Sequence, residues 1–130
     1  MNKGNILIVD DDKDITASLK VVLESHGFKI NTAATKSEAV EKIKAAAPDL
    51  IVLDVMLEGM SDGFDLARQL KNQDPYKKIP IIIMTALGEK TGFHFDPDVD
   101  KEKWLPVDAY FEKPVDLQIL IAEIGKLLKR

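Results

Sequence analysis

Apolar residues follow two kinds of spacing along this chain. Three runs are unbroken: Ile6-Leu7-Ile8-Val9, Leu50-Ile51-Val52-Leu53 and Ile81-Ile82-Ile83-Met84. A short continuous run suits a strand covered on both faces, as in a parallel sheet. Lys29 to Ala33 alternates and predicts a short strand nearer the sheet edge, and Ala109-Tyr110-Phe111 predicts a fifth strand. Between the strands the spacing turns helical. Ile15, Leu19, Val22 and Leu23 share one helix face, and Gly27 stops that helix. Ala39, Val40, Ile43 and Ala47 mark a second helix, opened by the capping-box pattern Thr35-x-x-Glu38 and ended by Pro48. Leu66, Ala67 and Leu70 mark a third, and Leu117, Leu120, Ile121, Ile124, Leu127 and Leu128 a last one. No stripe is legible from Leu87 to Val107, which carries Gly88, Gly92, Pro97 and Pro106.

Strands alternating with helices imply parallel βαβ units with right-handed crossovers, an α/β fold with helices on both faces of the sheet. At 130 residues the chain reads as one domain, 1–130, with no second or output domain. A net charge of −4 argues against nucleic-acid binding, which draws its affinity from Lys and Arg. Cysteine is absent, so neither a disulfide framework nor a thiol nucleophile is available. No apolar run nears the ~20 residues of a membrane span, and no signal peptide is visible. The expectation is a cytoplasmic protein that engages no membrane.

Chemistry collects at the strand ends. The first run ends in Asp10-Asp11-Asp12, the third strand in Asp54, the fourth in Thr85, and Lys113 lies just past the fifth. A parallel sheet brings these ends to one edge, and in open α/β sheets ligands bind there. Like charges ~4 Å apart repel by about 1 kcal/mol in water, so three neighbouring carboxylates call for a cation. Hard oxygen ligands suit Mg²⁺. A carboxylate can also act as nucleophile and become an aspartyl-phosphate, with Thr85 and Lys113 holding the phosphoryl oxygens.

In these residues the chain resembles the response-regulator receiver domain. The matching stretches are Ile6 to Asp11, Leu50 to Met56, Ile81 to Ala86 and Tyr110 to Pro114, in family order. The resemblance implies a doubly wound, flavodoxin-like five-stranded parallel sheet of order 2-1-3-4-5. The ligand-edge rule already draws on such folds, so this order is analogy. It implies that Asp54 is the phosphoacceptor and that the phosphoryl group comes from phosphohistidine on a sensor histidine kinase or a phosphotransfer protein. It implies that Asp11 ligates Mg²⁺ directly, Asp10 more loosely, and that the Met56 carbonyl is a further ligand. Thr85 and Tyr110 would be the switch pair, changing a surface that meets a separate downstream protein. Such a domain is a signalling phosphoacceptor and not an enzyme in the usual sense. The apolar Met56 and Leu87, two beyond Asp54 and Thr85, imply slow loss of the phosphoryl group.

The chain departs from the family pattern twice. Glu58 stands where many receivers have proline, and the matching glycine, Gly63, comes one residue late. The stretch between Thr85 and Lys113 is longer than usual, which predicts an atypical, irregular segment in place of a fourth helix.

Plainer readings compete. Asp10 to Asp12 could merely cap the first helix, a task expected of Asp12 or Asp14. Thr85 suits a strand in any case, and Tyr110 could be core. Asp96-x-Asp98-x-Asp100 lacks the glycine and glutamate of a calcium loop and reads as a solvated acidic loop. A haloacid-dehalogenase-type phosphatase would use Asp10-x-Asp12 as its nucleophile motif, but Asp14 stands where that motif has Thr or Val. A receiver-shaped binding module that is never phosphorylated is the remaining rival.

Overall fold

The computed structural model describes residues 4–54, 69–70, 72, 76–85, 109–112 and 116–128. Five strands form one parallel sheet: β1 (Asn5–Val9), β2 (Lys29–Ala33), β3 (Leu50–Asp54), β4 (Ile81–Thr85) and β5 (Ala109–Glu112). Their order is β2-β1-β3-β4-β5, as the resemblance implied. The chain runs outward from β1 to β2 and then returns to the other side of β1 with β3, so the order reverses between β1 and β3.

The unbroken apolar runs are explained by burial on both faces. In β1, Ile6 and Ile8 enter one core cluster, and Leu7 and Val9 the other. In β3, Leu50 and Val52 separate from Ile51 and Leu53 in the same way, as do Ile82 and Met84 from Ile81 and Ile83 in β4. One cluster is covered by helix α1 (Lys13–Ser25) through Leu19 and Leu23, and by the C-terminal helix (Leu117–Leu128) through Leu120, Ile124 and Leu127. The other is covered by α2 (Lys36–Ala45) through Ala39 and Ile43, and by Leu70, which lies in a helical pair of residues at 69–70. Each buried aliphatic side chain contributes about 1.5–3 kcal/mol, so the sheet interior is the main source of stability.

Helix ends follow from local chemistry. Gly27 takes φ 97°, the left-handed region that glycine enters without strain. There Gly27 N–H donates to Glu24 O (3.0 Å) and Phe28 N–H to Leu23 O (3.2 Å), a Schellman closure, and Phe28 joins Leu23 in one core cluster. At α2, Glu38 N–H donates to Thr35 Oγ1 (3.1 Å), while Glu38 Oε1 accepts from the N–H of Ala34. The expected box is therefore present, with its return bond shifted one residue toward the strand. Lys42 Nζ donates to the Thr32 carbonyl and ties α2 to β2.

One expectation needs correction. Helix α2 ends at Ala45, and Ala47 is exposed rather than part of the apolar face. Pro48 disfavours helical backbone at the residue before it, and Ala46 is already extended (φ −156°, ψ 105°). The stretch before Pro80 also holds a short 3-10 turn, Tyr76–Lys78, whose Tyr76 packs on the α2-side core. The remainder of the third helix, the atypical segment expected between Thr85 and Lys113, and the Asp96 to Asp100 loop lie outside the described residues.

Candidate functional site at the carboxyl edge of the sheet

The acidic run after β1 divides its work. Asp12 is the N-cap of α1: its carboxylate accepts from Asp14 N–H (3.0 Å) and Ile15 N–H (3.3 Å). Asp10 is 3% exposed, the one buried charged residue among those whose side-chain burial is described. Its N–H donates to Ala33 O at the end of β2 (3.0 Å), and its Oδ1 accepts from Asp12 N–H (2.9 Å). A buried acceptor left unpaired costs ~1–3 kcal/mol, so this bond helps offset the burial. Asp11 lies between the two. It is exposed, and its carboxylate has no hydrogen-bond partner among the described residues. Capping thus accounts for Asp12, partly for Asp10, and not for Asp11.

Strand register brings Asp54 and Thr85 to the same edge. Val9 pairs with Leu53, so Asp10 and Asp54 each lie one step beyond a matched pair on adjacent strands. Neighbouring strands are ~4.8 Å apart. Asp54 pairs with Met84, one step before Thr85, and Thr85 pairs with Glu112. Tyr110 pairs with Ile83, two steps back from that edge. The backbone therefore places Asp54, Thr85 and Tyr110 in three neighbouring strands, with Thr85 and Asp54 at strand ends. Lys113, next after Glu112, lies outside the described residues, as does Met56.

The donor chemistry fits a hard divalent cation. Asp10 and Asp11 bring carboxylate oxygens to the β1 end, beside the point where the strand order reverses. Among the described residues alone, no group of three metal-ligating side chains forms. One residue at this corner went unnoticed in the sequence. Thr16 Oγ1 is 2.9 Å from Asp12 O and 3.4 Å from Asp10 O, bridging the two ends of the acidic run. Its only advance signal is a threonine four residues after the cap, where a helical hydroxyl can reach back.

Comparison with known proteins gives a consistent answer. A family model described as the response regulator receiver domain matches residues 6–125. The alkaline phosphatase synthesis transcriptional regulatory protein PhoP of Bacillus subtilis is 38% identical over 130 residues, covering 100% of this chain and 50% of that protein. A two-component response regulator of Clostridium difficile has a crystal structure that is 33% identical, with TM-score 0.80, covering 97% of this chain and 96% of that one. The BeF3-activated N-terminal receiver domain of RstA from Klebsiella pneumoniae is 25% identical, with TM-score 0.78, covering 97% and 99%. The chain spans about half the length of the curated relatives it matches.

Proposed function

Because the chain belongs to the response-regulator receiver family, we propose that Asp54 accepts a phosphoryl group from a phosphohistidine on a sensor histidine kinase or phosphotransfer protein. An Asp54 carboxylate oxygen attacks phosphorus, and the N–P bond of the donor breaks. The electron pair leaves on the imidazole nitrogen, which takes a proton from solvent, and an acyl phosphate remains on Asp54. Asp10, Asp11 and Asp54, with the Met56 carbonyl, would hold Mg²⁺. When bound, Mg²⁺ supplies neutralisation of the charge that gathers on the phosphoryl oxygens.

Thr85 and Lys113 hold those oxygens on the other side. Phosphorylation adds roughly −1.5 to −2 charge and three strong acceptors. The Thr85 hydroxyl then follows the new oxygens, and Tyr110, two register steps back on the next strand, fills the room it leaves. The outcome is a population shift between two packings, limited by the difference in affinity for the two states. A downstream protein reads the shifted surface, and the cytoplasm is where such a relay operates. Among the described residues, no helix is long and apolar enough to cross a membrane. Met56 and Leu87 offer no polar group to position water, so the aspartyl-phosphate is expected to be slow to hydrolyse.

The observation that carries this reading is the register of β1 and β3, with Asp10 and Asp54 one step beyond the matched pair Val9 and Leu53. The test is incubation with acetyl phosphate and Mg²⁺, followed by mass analysis of the intact chain and its peptides. The expected label is on Asp54, absent from Asp54→Asn and absent without Mg²⁺. Label on Asp10 would favour the phosphatase reading, and no label under any condition would favour a binding module that is never phosphorylated.

A further inference from the structure

We infer that Thr16 is a positioning residue for the cation site, holding Asp11 in place through the backbone on either side of it; the inference rests on the Mg²⁺ site proposed above. Asp11 has no side-chain partner among the described residues and is exposed, so its own contacts do not fix it. Its neighbours are fixed. Asp10 is anchored by its N–H to Ala33 O and by its Oδ1 to Asp12 N–H. Asp12 is anchored as the cap of α1, and its carbonyl accepts from Thr16 N–H at 3.0 Å.

The Thr16 hydroxyl adds a bond across the arch. It carries one proton, and its two acceptors are Asp12 O at 2.9 Å and Asp10 O at 3.4 Å. That is a three-centre arrangement with a short and a long arm. The short arm is what any helical threonine does with the carbonyl four residues back. The long arm is different, because Asp10 lies outside the helix, at the end of β1. Through it, one hydroxyl joins the carbonyls before and after Asp11. Mg²⁺ demands near-ideal octahedral geometry, so freedom in a ligand's backbone is paid in affinity. Partners that orient ligands at metal sites typically change affinity 10–100-fold when removed. A three-centre bond to carbonyls is weaker than such contacts, and the expected effect sits at or below the lower end of that range.

The experiment is a Mg²⁺ titration of the full chain, followed by amide NMR shifts of residues 10–12, alongside a urea midpoint measured without Mg²⁺. Thr16→Val keeps the branched shape and removes the hydroxyl; it should weaken Mg²⁺ binding roughly five-fold. Thr16→Ser keeps the hydroxyl and should stay within about two-fold of the parent. Should Thr16→Val fail to fold, Thr16→Ala, which suits a helix, is read in the same way. Unchanged affinity in the variant lacking the hydroxyl overturns the inference, even if its urea midpoint falls, because that pattern marks a purely structural bond. Equal weakening in the valine and serine variants also overturns it. A parent chain that takes up no Mg²⁺ removes the proposed function itself, an outcome visible before any variant is made.

Discussion

At the β2–α2 corner, Thr35 caps the helix, Glu38 reaches back to the Ala34 N–H, and the chain turns from strand to helix with its polar groups answering each other. At the β1–α1 corner, Asp12 does the same capping work, accepting from Asp14 and Ile15. Yet two acids remain there: Asp10, buried at 3% exposure, and Asp11, exposed with no partner among the described residues. A corner that only had to start a helix would need no more than Asp12. The surplus carboxylates stand beside the strand-order reversal and one step across from Asp54, where a cation and a phosphoryl group would give them employment.

Substitutions should therefore change different quantities at the two corners. The largest effect is expected at Asp11. Asp11→Asn should weaken Mg²⁺ binding by at least about ten-fold, since even loss of an outer partner of a metal ligand costs ~10–100-fold. Thr35→Ala, at the other corner, should change Mg²⁺ affinity far less, because Thr35 supplies no ligand and the bond that joins the corners, Asp10 N–H to Ala33 O, is backbone to backbone and survives the substitution. Calorimetric titration of both variants checks this. A Thr35→Ala chain with equally weakened Mg²⁺ binding would erase the distinction.

Next comes stability without Mg²⁺, where the two caps and the surplus acid Asp11 should differ in sign. Removing a cap costs about 1 kcal/mol, so Asp12→Ala and Thr35→Ala should both lower the urea midpoint. Asp11→Asn removes a like charge from a crowded edge. Neighbouring carboxylates ~4 Å apart repel by about 1 kcal/mol in water, so this variant should unfold at the same or a higher urea concentration than the parent. Saturating Mg²⁺ should reverse the ranking, stabilising the parent by mass action and the Asp11→Asn chain far less. Equilibrium unfolding with and without Mg²⁺ reads both effects from the same samples. A clear loss of stability in Mg²⁺-free Asp11→Asn would show that Asp11 serves the fold.

Much of this contrast was visible in the residue pattern. Strands buried on both faces announce themselves as apolar runs, and β1, β3 and β4 stand where Ile6 to Val9, Leu50 to Leu53 and Ile81 to Met84 placed them. The cap, expected at Asp12 or Asp14 and found at Asp12, and the stop at Gly27 were legible because each depends on a few adjacent residues. What failed depended on competition. Helix α2 stops at Ala45, with Ala46 already extended one residue ahead of the Ala47 that Pro48 keeps out of the helical region, and alanine's own helix preference conceals that stop. A three-residue turn such as Tyr76–Lys78 is too short to show a period. At the site, the acids were legible as residue types at strand ends, whereas the Thr16 bridge to the Asp10 carbonyl appears only once β1 and α1 are joined in space. The roles of Lys113 and Met56 rest on family resemblance, since both lie outside the described residues.

The smallest expected effect separates geometry from charge at the self-contained corner. In Glu38→Gln the side-chain carbonyl can still accept from Ala34 N–H, the partner Glu38 Oε1 has now. What goes is the negative charge, which strengthens that hydrogen bond and favours the helix N-terminus by ~0.3–1 kcal/mol. The variant should lose a few tenths of a kcal/mol, and the loss should shrink in high salt, because exposed charge interactions are screened beyond ~10 Å at 0.1 M. Glu38→Ala removes the same charge and also strands the Ala34 N–H, so about 1 kcal/mol of its loss should persist in high salt. Urea unfolding at two ionic strengths measures both. Equal losses for glutamine and alanine would mean that charge, rather than the hydrogen bond, holds the corner closed, and the two corners would then differ in electrostatics more than in hydrogen-bond closure.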